Sequence, residues 1–404
     1  MLKKLALAGV VSLMGTTAWS ACAFENQTEV KMLSAGFEAW KAVADAMSEC
    51  GNVQAELDQE FRTKQPAAFE ANPSLYHIGG VSNGTLTPLL NAGTIRPLDD
   101  LVEKYGQNLQ PNQLIRIDGK IMAIAMMVNT QHLMYREDLL AENGIEVPTT
   151  WDEVYAAAAK LKEAGIEVPL GATMKSGWNL AQEFVNMYPG HGGTFFADDN
   201  SAVVNNEAGM AALETMKAAL DYTDPEVLVS DSTYVQQQFQ QGKIAMANLW
   251  ASRGGAMNDE AESQVVGKVK SASAPLAMDG GAPATTLWWD GIVIAANISD
   301  EEADAAFRVA MEGLDEEMVK GANDAAIWLV KGYEPTEMAQ GAIATATANP
   351  APPAYPSTVR MGLMHTALGN ELPAYLTGER DAAATLAAIE EAYSTSAKEA
   401  GILE

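Results

Sequence analysis

The sequence predicts an α/β protein of two domains, on three observations. At 404 residues the chain is longer than one typical core organises. Apolar runs of strand character alternate with helical patterns, which implies parallel pairing in a sheet covered by helices. A hydrophobic content of 48% against 19% charged residues marks a packed chain rather than a disordered one.

Taken in order, the first residues carry a targeting signal. Lys3 and Lys4 precede an apolar run over residues 5–14 and then small residues, the layout of a cleaved secretory signal peptide over 1–20. Small-x-small sites end at Ser20 and at Ala23. A lipid-anchor reading makes Cys22 the first mature residue, but Trp19 stands where an aliphatic residue is usual. Cleavage after Ser20 leaves Cys22 and Cys50 together in an oxidising compartment, where a disulfide tying the tail to the end of the first helix is expected. Cleavage after Ala23 leaves Cys50 as a small buried thiol instead.

Residues 28–33 read as a strand and the stretch to about Glu49 as an amphipathic helix. A second strand over 53–57 leads into an irregular connection containing Pro66 and Pro73. A third apolar run ends in Gly79 and Gly80, and a helix over 85–92 is closed by Gly93. Ligands collect beyond such strand ends, where Gly36, Gly79 and Gly80 lie. Thr150 with Glu153 and Ser299 with Glu302 are capping boxes opening two surface helices. Residues 341–356, Ala/Thr-rich and then Pro-rich, suggest an irregular crossing. A last Ala-rich helix covers about 382–400.

The formal charge of −28 becomes −30 once Lys3 and Lys4 leave with the signal. That field repels nucleic acid and anionic membranes. Four scattered histidines and no clustered carboxylate loop give no metal site, and no cofactor is expected.

Three stretches carry a family resemblance. "IDGKIMAIAMMVNTQHLMYREDLLAENGIEVPTTWDEV" (117–154) resembles the interlobe crossover of extracellular solute-binding proteins of the family that includes the maltose-binding protein. "FQQGKIAMANLWASRGGAM" resembles their Gly-Lys strand followed by a tryptophan at a helix start, and "LWWDGIVIAANISDEEADAAFRVAMEGL" their strand that recrosses to the first lobe. The resemblance implies a two-lobe periplasmic binding protein fold with discontinuous lobes and a ligand cleft at the hinge. The lobes are expected at 24–128 plus 295–340 and at 129–294 plus 341–404, with crossings near 128–131, 291–295 and 341–351. It also implies a periplasmic monomer that hands its solute to the permease subunits of an ABC transporter in the inner membrane.

A sugar or polyol needs flat aromatic surface for its C–H faces and fixed donors and acceptors for its hydroxyls. Trp40, Trp178, Trp250 and Trp289 lie at expected cleft edges, whereas Trp151, in a capping box, and Trp328 read as structural. Arg253 follows Trp250 by about one helical turn, and Asp290 adjoins Trp289. Phe37 and Glu38 occupy the loop after the first strand, Asn129 the first crossing, and Gly80, Ser82 and Asn83 a helix N-terminus. In the doublet, Trp289 is expected on the solute and Trp288 inside the second lobe.

These residues point to a carbohydrate- or polyol-binding protein without catalysis of its own. One alternative is a secreted serine esterase, because Gly80-Val81-Ser82-Asn83-Gly84 satisfies the nucleophile-elbow pattern, with His132, His191 or His365 as base. Another is a binder of an anionic sugar derivative or other small polar solute. The count of cations in the cleft discriminates a neutral ligand from an anionic one: Arg253 alone suits the first, and two or more converging on one spot suit the second.

Overall fold

The computed structural model describes residues 22–404. The signal-peptide expectation lies outside the described residues. Cys22, the first described residue, is disulfide-bonded to Cys50, with Cα atoms 4.9 Å apart. The bond uses the sulfur that a lipid anchor would occupy, and it ties the tail to the end of the helix Glu38–Ser48.

The first lobe is a seven-stranded sheet. Its strands β1 (Val30–Ser34), β2 (Val53–Leu57), β3 (Ile78–Ser82), β4 (Leu114–Ile117) and β5 (Lys120–Asn129) come first in the chain. The chain then enters the second lobe with β6 (Gln131–Arg136), β7 (Leu170–Gly171), β8 (Met246–Trp250) and β9 (Val269–Ala272), a four-stranded sheet in the order β7-β8-β6-β9. It returns through β10 (Trp288–Ile294) and β11 (Ile327–Trp328). The first sheet runs β11-β5-β10-β3-β1-β2, with β4 on β5. β1 pairs in parallel with β2 and β3, as the strand–helix alternation requires, but β10 lies antiparallel between β3 and β5.

Each lobe has its own apolar core. Met32, Trp40, Phe69, Ile78 and Phe307 anchor the first, and Phe184, Tyr188, Met246, Leu368 and Tyr393 the second. Both capping boxes form, Thr150 with Glu153 and Ser299 with Glu302. Two stretches expected to be irregular are helical. Residues around Pro66 form the helix Phe61–Glu70, and Gln340–Ala346 is a helix packed on β9 and β6.

The lobe boundaries shift accordingly. Pairing with β3 and β5 places 288–294 in the first lobe, so the second crossing precedes Trp288 instead of lying at 291–295. The third falls between Glu334, whose amide donates to Asn323, and Glu337, ion-paired with Lys270 of β9. Residues 337–340 thus join the second lobe. A run such as "GIVIAA" reads as a buried strand in either sheet, and partner choice is a long-range property that local pattern does not carry.

The crossings are pinned to one another. The Thr130 hydroxyl lies 3.0 Å from that of Thr285 and donates to the Thr286 carbonyl at 3.1 Å. Asn83 Nδ2 donates to the carbonyls of Leu287 and Tyr355, at 3.3 and 3.2 Å.

Candidate functional site

A cavity of about 400 Å3 opens between the lobes at these crossings, a size within the usual range for small-molecule sites. The first lobe contributes Phe37, Arg62, Ser82 and Asp290 to its walls, and the second Trp178, Trp250, Ser252 and Arg253, with Asn129 and Trp288 at the crossings. A second cavity of about 350 Å3, beside Cys22 and Met318, lies on the first lobe alone and holds no tryptophan.

Strand geometry aims the key side chains. Residues two apart on a strand share a face, so Trp288 and Asp290 both line the cavity while Trp289 packs against the first-lobe core. The register of β10 on β5 slips between Asp290 and Gly291, where Asp290 pairs with Met127 and Gly291 with Ala125. A side chain at Gly291 would meet the Ile124 carbonyl oxygen at 2.2 Å, so only glycine permits this close approach.

The second-lobe wall is aromatic. Ring centroids lie 5.7 Å apart for Trp178 and Trp288, 5.8 Å for Trp250 and Trp288, and 6.5 Å for Trp178 and Trp250. Gly177, at φ 90°, starts the helix Trp178–Gly190 in a backbone state that side chains disfavour, which delivers Trp178 into the cleft. One face of Trp178 is covered by His365 at 5.0 Å and the ring also carries the Arg62 guanidinium at 4.4 Å. His365 is held neutral, its pKa pushed down to about 4 by burial. Its Nε2 lies 3.0 Å from the Trp178 carbonyl and its Nδ1 3.2 Å from the Tyr355 hydroxyl. A carbonyl only accepts, so Nε2 carries the proton and Nδ1 accepts from tyrosine.

The cavity also carries charge from both lobes. The Asp290 carboxyl makes no side-chain hydrogen bond among the described residues, and burial raises its pKa to about 7 although Arg62 nearby acts to lower it. Arg253 donates to Gln236 at 3.0 Å and Thr233 at 3.3 Å, and its guanidinium sits 5.8 Å from the Phe37 ring. Burial lowers the Arg253 pKa to about 10 against the pull of Asp231. Lys175 pairs with Asp231 at 3.3 Å. Arg62, Lys175 and Arg253 all line the cavity, and each has a carboxylate acting on it, Asp290 on Arg62 and Asp231 on the other two.

Seven expected residues meet at the cavity: Phe37, Ser82, Asn129, Trp178, Trp250, Arg253 and Asp290. Five lie elsewhere. Trp40 is 1% exposed in the first-lobe core, and Gly80 packs beneath it, since a side chain there would meet Ser34 Cβ at 2.2 Å. Glu38 is exposed and paired with Lys41. Asn83 clamps the crossing segments instead of facing the cavity. Trp289 and Trp288 exchange places relative to expectation, because an aspartate and the tryptophan before it cannot share a face of one strand. The i, i+2 spacing of Trp288 and Asp290 was the signal that could have found this. Nothing marked Arg62, which stands on a helix that the two prolines disguised.

Among the described residues, Ser82 Oγ has one hydrogen-bonding neighbour, the Thr85 hydroxyl at 3.4 Å. No histidine bonds to it among the described residues. His132 is fully buried in the second lobe and His191 lies against Thr215.

The bacterial extracellular solute-binding protein family model matches residues 33–312. A probable ABC transporter-binding protein of Deinococcus radiodurans is 26% identical over 292 residues, 66% of this chain and 67% of that relative. Among solved structures, a solute-binding protein of Agrobacterium radiobacter K84 in complex with ribitol superposes with a TM-score of 0.79 at 20% identity, covering 92% of this chain and all of that one. Maltose-bound MalE3 of T. maritima gives 0.77 at 19% identity, covering 91% and 99%.

Proposed function

The chain belongs to the bacterial extracellular solute-binding protein family, and from that premise we propose that it captures a neutral carbohydrate or polyol between its lobes and delivers it to the permease of an ABC importer from the periplasm. Ribitol and maltose in the related folds support this ligand class. The observation that carries it is the pairing of the Asp290 carboxyl, without a hydrogen bond among the described residues, and the Arg62 guanidinium with a cluster of tryptophan rings. A hydroxyl donates and accepts, so it fits between carboxylate and guanidinium while C–H faces lie on indole.

Closure of the lobes converts capture into a shape that the permease distinguishes from the open form. Hinge closure of this kind is the known repertoire of periplasmic binding proteins. An anionic sugar fits less well, because Asp290 acts on Arg62 and Asp231 on both Lys175 and Arg253, which offsets much of their positive field. The chain is proposed to act as a monomer without catalysis.

A thermal-shift screen of sugars, polyols and their phosphate esters tests the reading, since a ligand bound only by the folded state raises Tm with concentration. Concentration-dependent shifts with neutral polyhydroxy compounds support it. Hydrolysis of an ester substrate that Ser82→Ala abolishes, with no shift by any carbohydrate, would overturn it.

A further inference from the structure

Behind the aromatic wall, buried polar side chains are joined end to end, and every donor points the same way. The Trp288 indole N–H donates to Thr286 Oγ1 at 2.9 Å, and the Thr286 hydroxyl donates to Asn186 Oδ1 at 2.8 Å. The Asn186 amide donates to Gln131 Oε1 at 2.7 Å, and the Gln131 amide donates to Glu183 Oε1 at 3.1 Å. Thr173 donates its hydroxyl to the same oxygen. The direction is dictated by chemistry. An indole N–H only donates, so Thr286 accepts it and passes its single proton to Asn186; Gln182 Nε2 donates into the same two oxygens, at 3.0 and 2.8 Å, and the run ends on a group that here only accepts. An ionised carboxylate is that group.

Gln131, Thr173, Asn186 and Thr286 are each 1% exposed and Glu183 5%, so water does not substitute for any link. Nor is the carboxylate there for an ion pair: among the described residues no lysine, arginine or histidine acts on it, and a titratable group that feels it is Tyr155 of the helix Trp151–Glu163. Burying an unpaired carboxylate costs stability and raises its pKa, here to about 7. The fold accepts that cost at the foot of a cleft tryptophan.

We propose that Glu183 is a positioning residue of the binding site: as the acceptor-only end of the relay through Gln131, Asn186 and Thr286, it holds the Trp288 ring in its place on the cavity wall. Its ionisation strengthens each bond in turn, because chained hydrogen bonds polarise one another, and the indole N–H senses it four links away. The functional part rests on the cleft being the ligand site.

The test is the 15N-indole resonance of Trp288 in the mature chain without ligand, measured in an Asp290→Asn background that removes the carboxyl two residues away. The resonance is expected to move with a midpoint near pH 7, clear of His365 near 4, and to be flat when Glu183→Gln is added. With whichever neutral ligand binds, Glu183→Gln, whose side-chain oxygen still accepts, is expected within about threefold of wild-type affinity, and Glu183→Leu at least about tenfold weaker. A Trp288 resonance that ignores pH while Glu183 is present overturns the proposal, as does a folded Glu183→Leu that binds like wild type. Should Glu183→Leu not fold, the resonance alone decides. Because that arm needs no ligand, it can hold where the cleft's proposed role fails.

Discussion

The guanidinium of Arg62, on the first lobe, stands 4.4 Å from the ring centroid of Trp178, on the second. Arg253 repeats the arrangement in reverse, reaching from the second lobe to 5.8 Å from Phe37 of the first. Two cation–π contacts thus span the cleft in opposite directions, each worth about 0.5–2 kcal/mol. Both exist only when the lobes are together, so they favour the closed form.

Removing one of them tests this. Arg62→Ala is expected to weaken ligand affinity by roughly fivefold to thirtyfold, the equivalent of about 1–2 kcal/mol. Arg62→Lys restores only part, because an ammonium lacks the planar fork that stacks on indole. Calorimetric titration reads both, and full recovery with lysine would show that charge alone acts there.

The tryptophan doublet separates binding from packing. Trp288 lines the cavity and Trp289 packs on the first-lobe core. Trp288→Ala is expected to reduce affinity by at least about tenfold and, as the ring is also buried, to cost about 3–5 kcal/mol of stability. Trp289→Ala is expected to cost stability while leaving affinity within about twofold. Binding and urea unfolding of each variant check the pair.

Asp290 makes binding depend on pH. Its carboxyl titrates near 7 in the cleft, and hydroxyls that donate to it favour the ionised form, so the bound state has the lower pKa. Affinity therefore rises with pH up to about 7 and levels off above, being about tenfold weaker at pH 6 than at pH 8. Asp290→Asn should flatten the profile, measured by titration across that range.

Glu183 makes stability depend on pH in the opposite sense. Its folded pKa, about 7, lies above its ordinary 4.5. The folded state binds the proton more tightly, so the stabilisation is fully present below 4.5 and is lost as pH rises through 7. The unliganded protein should lose roughly 3 kcal/mol across that window by this route. Glu183→Gln should lose less, by urea unfolding at successive pH values.

Local chemistry made much of the fold legible. The capping boxes at Thr150 and Ser299 and the Cys22–Cys50 bond follow from residues that act over short range or by compartment. Trp250 was legible because a family motif places it, and Arg253 because it follows by about one helical turn. What escaped depends on partners distant in sequence. β10 chose the first sheet, Trp40 went under Gly80, and Asn83 found carbonyls more than 200 residues away. The Glu183 relay draws its links from β6, the helix Trp178–Gly190 and the segment before β10, and no spacing announces it.

The central claim is that the cleft takes a neutral polyhydroxy ligand. The measurement that tests it most directly is calorimetric titration, at pH 8, of the tightest neutral sugar or polyol beside its own phosphate ester. With Asp290 and Asp231 offsetting the cleft's cations, the neutral compound is expected to bind at least about tenfold tighter, with one site per chain. Tighter binding of the phosphate ester would contradict the account.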